Sequence, residues 1–169
     1  KIAGGDLHTY LRCRKKRRKR YGSYRKRGFP GHPLSIDERP AIVEQKSRIG
    51  DMEIDTIVGK GRHQGIITMV DRRSKLLRMK KVAQKTATLV ARAICNELKD
   101  LTVHTLTSDN GREFSAYRKI ERKLRADYYF CHPYSSWERG LNENTNGLIR
   151  QFFPKHMKFD DITDGQIKI

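Results

Sequence analysis

Asp51-Met52-Glu53-Ile54-Asp55-Thr56-Ile57-Val58 is the stretch from which the rest of the chain can be read. It has the length and β-branched content of a strand. By period two, Asp51, Glu53 and Asp55 share one face. Gly59–Gly65 then turns the chain into a second strand, Ile66–Asp71, and Arg72-Arg73-Ser74 turns it into a third, Leu76–Val82. Three strands joined by short turns predict an antiparallel meander. Downstream, Thr86 reads as the N-cap of an amphipathic helix carrying Leu89, Val90, Ala93, Ile94 and Leu98. Val103–Thr107 is a fourth strand, ending in Ser108-Asp109-Asn110-Gly111. A helix with Tyr117, Ile120 and Leu124 on one face follows, then a short fifth strand, Tyr128–Phe130. Ser135-x-x-Glu138 has the form of a capping box, which predicts a helix from about Ser136 to Phe153, stopped by Pro154. The order β-β-β-α-β-α-β-α predicts an α/β fold, a mixed five-stranded sheet with helices on its faces. Thr163-Asp164 looks like a further helix start, and with no initial Met the chain reads as a piece of something longer.

The first 34 residues differ from the rest. Of the formal net charge of +18 over 169 residues, +11 lies in 1–34 and +7 in 35–169. Between Arg12 and Arg27, eleven of sixteen residues are Lys or Arg, including the unbroken run Arg14, Lys15, Lys16, Arg17, Arg18, Lys19 and Arg20. Such a block repels itself and has little apolar surface to offset the entropy of ordering. It is expected to be a largely irregular arm, with 35–169 forming the folded core, and its charge points to a polyanion, nucleic acid first. It lacks the interleaved apolar face of a membrane anchor, and no stretch approaches the length of a transmembrane helix. Cys13, Cys95 and Cys131 are odd in number and far apart, with no C-x-x-C pair, and the six His form no H-x-x-x-H, so neither a disulfide framework nor a zinc site is expected. A reducing, cytoplasmic compartment fits.

Three acids are candidates for chemistry. Asp55 lies in a strand among Ile54, Ile57 and Val58, where a carboxylate needs a partner. Asp109 closes the fourth strand at an Asn-Gly turn. Glu143 lies in the last helix; at about 100° per residue, Leu141, Thr145, Leu148 and Phe152 point within roughly 40° of the opposite direction. That predicts a polar face around Glu143, with Arg139, Gly140, Asn146, Gly147 and Arg150, and a buried face around Leu148; the two glycines would permit close approach on the polar side. Carboxylates brought together repel, and hard divalent cations resolve the repulsion because they prefer oxygen ligands. With a basic surface, such a site points to strand chemistry on nucleic acid.

At these residues the sequence resembles the catalytic domain of DDE transposases of bacterial insertion sequences, specifically the insertion-sequence-thirty family. The resemblance runs through Ile49–Gly61, Ser108–Phe114 and Pro133–Leu148, and 33 residues separate Asp109 from Glu143, as in that family and in retroviral integrases. Two positions depart from the family pattern: Met52, where Trp is usual, and Ile54, where a small residue is common. The resemblance implies an RNase H-like fold in which the first and fourth strands are neighbours. It implies Asp55, Asp109 and Glu143 as a catalytic triad holding Mg²⁺ or Mn²⁺, two ions with DNA bound. The implied reaction is DNA 3′-end cleavage, followed by attack of the freed hydroxyl on target DNA, and the implied state is a homo-oligomer that handles two element ends together. A DNA-binding remnant without activity and another RNase H-like nuclease are the competing readings.

Beyond the triad, Arg139 and Arg150 are expected to grip phosphates, and Lys60, Arg62 and His63 at the hairpin tip are plausible DNA contacts. Tyr134 and Trp137 could stack on an unpaired base or pack beneath the loop before the last helix. Asp51 and Glu53 are expected at a solvated edge or paired with Arg, and Glu113 as a first-turn helix acid.

Overall fold

The computed structural model describes residues 32–61, 63–160 and 162–167; the basic run and Arg62 lie outside them. A mixed sheet of six strands runs through the molecule: β1 (Leu34–Ser35), β2 (Asp51–Val58), β3 (Gly65–Asp71), β4 (Leu77–Val82), β5 (Thr105–Ser108) and β6 (Asp127–Phe130). Their spatial order is β1-β6-β5-β2-β3-β4. β2, β3 and β4 form the antiparallel meander read from the sequence, whereas β5 runs parallel to β2 and β6 parallel to β5. The adjacency of the first and fourth expected strands, on which the RNase H-like expectation turned, is therefore present. The sheet has one strand more than expected. β1 adds Leu34 and Ser35 in parallel beside Tyr129 and Phe130, and two residues carry no periodicity by which to be recognised.

Among the described residues there are five α-helices: α1 (Ala41–Glu44), α2 (Ala87–Leu98), α3 (Tyr117–Leu124), α4 (Gly140–Phe152) and α5 (Asp164–Ile167). Period-two alternation along β2 divides the interior. Met52 and Ile54 point to one face, where Ile67, Met69, Leu106 and Tyr128 join Val90, Ile94 and Leu98 of α2 and Tyr117 and Ile120 of α3 in the main core. The two family departures, Met52 and Ile54, are thus core residues, 2% and 0% exposed. Thr86 caps α2 as expected, its side chain accepting from the Leu89 N–H at 3.4 Å. On the opposite face, Ile57 and Ile66 pack with Ile149 of α4, Phe159, Ile162 and Ile167 in a smaller cluster.

That second face corrects the orientation expected for α4. Leu148 is 44% and Phe152 76% exposed, while Asn142, Asn146 and Ile149 face inward. The reason lies in the sheet beneath, which presents Glu53, Asp55 and Thr68 rather than hydrocarbon and so demands hydrogen-bonding partners. Asn142 donates through Nδ2 to the Glu53 carbonyl at 3.0 Å and through its backbone N–H to Glu53 Oε2 at 2.9 Å, and it accepts from Thr68 Oγ1 at 3.0 Å. An apolar face docked here would leave those groups without partners.

The entry to α4 differs as well. A 3-10 turn, Ser136–Arg139, precedes the helix, and the Ser135 side chain caps nothing. Glu138 is engaged instead by His132, whose backbone N–H donates to Oε2 at 2.8 Å and whose Nδ1 lies 2.8 Å from Oε1. A capping box does form at Ser35-x-x-Glu38, around the 3-10 turn that follows β1. Nor does Gly140 admit a close neighbour: a Cβ there would meet nothing within 4 Å. Gly50 does require glycine. Its φ is +103°, and a Cβ would lie 2.5 Å from the Thr102 carbonyl oxygen where the chain enters β2.

Candidate functional site

Parallel pairing sets Asp51, Met52 and Glu53 of β2 opposite Thr105, Leu106 and Thr107 of β5. Two residues further along, Asp55 and Asp109 stand level on neighbouring strands, on the sheet face that α4 covers. Asp109 follows the last residue of β5, where its Oδ1 accepts from the Gly111 N–H at 3.0 Å, so the turn presents its second oxygen outward. Asp55 is tied more tightly. Oδ1 accepts from the Thr56 N–H at 2.8 Å and Oδ2 from Asn146 Nδ2 at 2.9 Å.

Between the two carboxylates lies a cation from the chain itself. The Arg139 side chain, 9% exposed, places Nη1 at 3.2 Å from Asp55 Oδ2 and Nη2 at 3.5 Å from Asp109 Oδ2. Nη1 also donates to the Ile54 carbonyl at 3.1 Å. Burial holds the Asp55 carboxyl above the ordinary carboxylate range; Arg139 opposes that shift and Asp109 adds to it. On Arg139, burial works against the charge, but the two acids outweigh it and raise the guanidinium pKa. The sequence placed Arg139 among candidate phosphate contacts; in the structure its guanidinium bridges the two aspartates.

Glu143 is exposed on α4, one turn before Asn146 and on the flank that also carries Arg150. Among the described residues no group of three or more His, Cys, Asp or Glu side chains is placed to hold a metal ion. The structure thus brings Asp55 and Asp109 together and leaves Glu143 at the rim. Arg150 is half-buried, donates to the Phe153 carbonyl at 3.3 Å, and has its pKa lowered by burial against the opposing pull of Asp55. Lys60 is exposed just beyond β2, held by its backbone N–H to the Met157 carbonyl at 2.9 Å. Arg14, Lys15, Lys16, Arg17, Arg18, Lys19, Arg20 and Arg62 lie outside the described residues.

The neighbouring acids are structural. Asp51 is fully buried and bound twice by Arg48, at 2.9 and 3.0 Å. Glu53 is buried beside Arg72 at 3.5 Å. Both are paired with arginine, as one of the two expectations had it, and neither is at a solvated edge. Glu113 lies in a 3-10 turn and faces Lys85 at 3.7 Å. Tyr134 and Trp137 are 70% and 72% exposed, so neither packs beneath the loop. Cys131 is buried and its thiol pKa is pushed up to about 12, which removes it as a nucleophile. The residues that sequence reasoning passed over are Asn142 and Asn146. Their i, i+4 spacing puts two amides on one helix face, and that was the available signal.

No family model matches the chain. Among curated proteins it is 47% identical over 171 residues to the transposase for insertion sequence element IS4351 of Bacteroides fragilis, covering 99% of this chain and 52% of that protein. It is 35% identical over 137 residues to the transposase InsI for insertion sequence element IS30A of Escherichia coli K12, covering 79% of this chain and 36% of that protein. The chain therefore spans about half the length, or less, of these relatives. Among solved structures, the catalytic core domain of BIV integrase is similar at a TM-score of 0.47 and 26% identity, over 57% of this chain and 64% of that one.

Proposed function

The chain belongs to the transposases of bacterial insertion sequences, and we propose that it carries their strand chemistry: metal-dependent cleavage of DNA to free a 3′-OH, then transfer of that end into target DNA. The observation that supports this most is the bridged pair, two carboxylates level on adjacent parallel strands with a buried guanidinium between them. The donor set fits a hard divalent cation. Both groups offer carboxylate oxygens, Asp109 is half open to solvent, and the pair already draws a positive charge into place. Asp55, Asp109 and Glu143 would hold Mg²⁺ or Mn²⁺, which when bound supplies Lewis acidity toward a phosphodiester oxygen.

The chain's own residues do the rest. Arg139 withdraws from the aspartates and becomes available to a DNA phosphate. Glu143 turns in from the rim of α4, whose position over β2 is held by the Asn142 and Asn146 amides. Arg150 balances phosphate charge beside Asp55 and Lys60 adds to it just beyond β2, with Arg62 and the Arg14–Arg20 run as further phosphate contacts. Two element ends handled together require a multimer of the whole transposase.

One observation favours a second reading, a DNA-binding domain without chemistry: Arg139 stands where a cation would be needed. The experiment that separates the two offers a labelled element end, with Mg²⁺ or Mn²⁺, to the whole transposase and to its Asp109→Asn variant. Cleavage by the parent and none by the variant is expected. Equal product from both removes Asp109 from the reaction, and no product from either supports the second reading.

A further inference from the structure

Behind the bridged pair, on the same face of the sheet, lies a cavity of about 560 Å³, within the range of about 300–1,000 Å³ common for small-ligand sites. Its wall includes two arginines whose burial is otherwise hard to justify. The Arg39 and Arg72 side chains are 2% and 5% exposed, and the Nε–H of each makes no hydrogen bond among the described residues. Arg39 donates to Thr107 Oγ1 at 2.9 Å, and Arg72 lies beside the buried Glu53 at 3.5 Å. The remaining partner of both is a single group, the Glu44 carboxylate, which contacts Arg39 and sits 3.0 Å from Arg72 while remaining 61% exposed. Lys46 and Lys75 add charge to the wall, and Trp137, 72% exposed, stands at its edge.

We propose that this cavity holds one nucleotide of an unpaired DNA strand, its phosphate on Arg39 and Arg72 in the place of Glu44 and its base stacked on Trp137. This rests on the strand-chemistry reading and adds to it a binding subsite. Position supports it. Glu53, which lines the cavity, and Thr107, which holds Arg39, lie two residues before Asp55 and Asp109, about 7 Å at strand rise. That is about two nucleotide steps from the reacting phosphodiester, at about 3.4 Å per stacked step. Charge supports it too: Arg39, Arg72, Lys46 and Lys75 on the wall face Glu44, Glu53 and Glu138, and once Glu44 swings to solvent two positive charges are left for an anion. A large exposed aromatic ring beside such an anion site suits a base, whose face any π-system can cover.

Trp137 is the chain's one tryptophan, so its emission reports on the cavity whether or not the basic arm also binds DNA. The 169-residue chain is titrated with a short single-stranded oligonucleotide at fixed salt, with chelator present so that no cleavage takes part. Quenching of Trp137 is expected, and a strand of the same length built of abasic sites should bind without quenching. Glu44→Gln, at an exposed position, should lower the midpoint of quenching about fivefold, the size of one partly exposed charge interaction. Equal quenching by the abasic strand, binding with no change in emission, or an unmoved midpoint in Glu44→Gln each overturns the proposal. Because no divalent ion is present, these outcomes are independent of the Asp109→Asn cleavage comparison.

Discussion

Replacing Arg139 by glutamine removes the positive charge between Asp55 and Asp109 while keeping a polar side chain of similar reach. Losing one partner of a fully buried ion pair costs about 3–5 kcal/mol. Here the exposures are 9% for Arg139, 26% for Asp55 and 47% for Asp109, so water screens the Asp109 arm and little is assigned to it. The Asp55 arm, with the lost hydrogen bond to the Ile54 carbonyl, leaves an expected destabilisation of about 2–3 kcal/mol near neutral pH. The pH dependence follows from Asp55. Its folded pKa is already raised, by burial first, against the opposing effect of Arg139; without Arg139 it rises further. An acid with a raised folded pKa binds more protons folded than unfolded, so stability falls as pH climbs from the ordinary carboxylate range through the folded value. Below that range Asp55 is neutral in both states, and only the loss of about 1 kcal/mol for the hydrogen bond remains. Urea unfolding followed by circular dichroism, at several pH values from the acid to the neutral range, therefore shows parent and variant converging in acid and separating toward neutrality. A difference that stays constant across pH would refute the reasoning and make Arg139 a packing residue. At neutral pH, Mg²⁺ should stabilise the variant more than the parent, since the ion no longer competes with a guanidinium; free ion at 100 times its Kd contributes about 2.7 kcal/mol.

Three further outcomes are expected. Asp71 is buried, and although burial pushes its carboxyl up, hydrogen bonds from Gly50, Ser74 and Arg73 outweigh this and lower its pKa. Asp71→Asn should cost about 2 kcal/mol near neutral pH; the parent loses that advantage as pH falls through the ordinary carboxylate range toward the folded value, so the two unfolding curves approach each other in acid. Gly50→Ala forces a side chain onto φ +103° and against the Thr102 carbonyl, with an expected cost of about 2 kcal/mol in urea unfolding; an unchanged midpoint would show that the turn relaxes. If the Arg14–Arg20 run and its neighbours engage roughly six phosphates, DNA affinity falls about 10³-fold between about 50 and about 200 mM salt, and a flat response in a filter-binding or anisotropy titration removes the arm from the interface.

The strand order and the two aspartates were legible along the chain because both rest on local rules. Alternation in 51–58 marks a strand with an acidic face, and tight turns at 59–65 and 72–74 allow only an antiparallel return. The resemblance to insertion-sequence transposases then placed the fourth strand beside the first, where β5 lies. The rotation of α4 was not legible. Its most apolar side, with Leu148 and Phe152, is the more exposed one, because which face a helix buries depends on what the opposing surface needs, and here that surface needs amides. Ser35-x-x-Glu38 and Ser135-x-x-Glu138 carry the same local pattern, yet only the first closes a capping box. The second Glu is held by His132, a partner from another turn of the loop.

The sequence by itself therefore determined which acids the sheet carries and on which strands, since strand periodicity is a property of neighbouring residues. The tertiary structure alone decided what stands between them. A guanidinium 84 positions along the chain from Asp55 and 30 from Asp109 comes to the pair because α4 docks through asparagines, and long-range electrostatic satisfaction of that kind leaves no local mark.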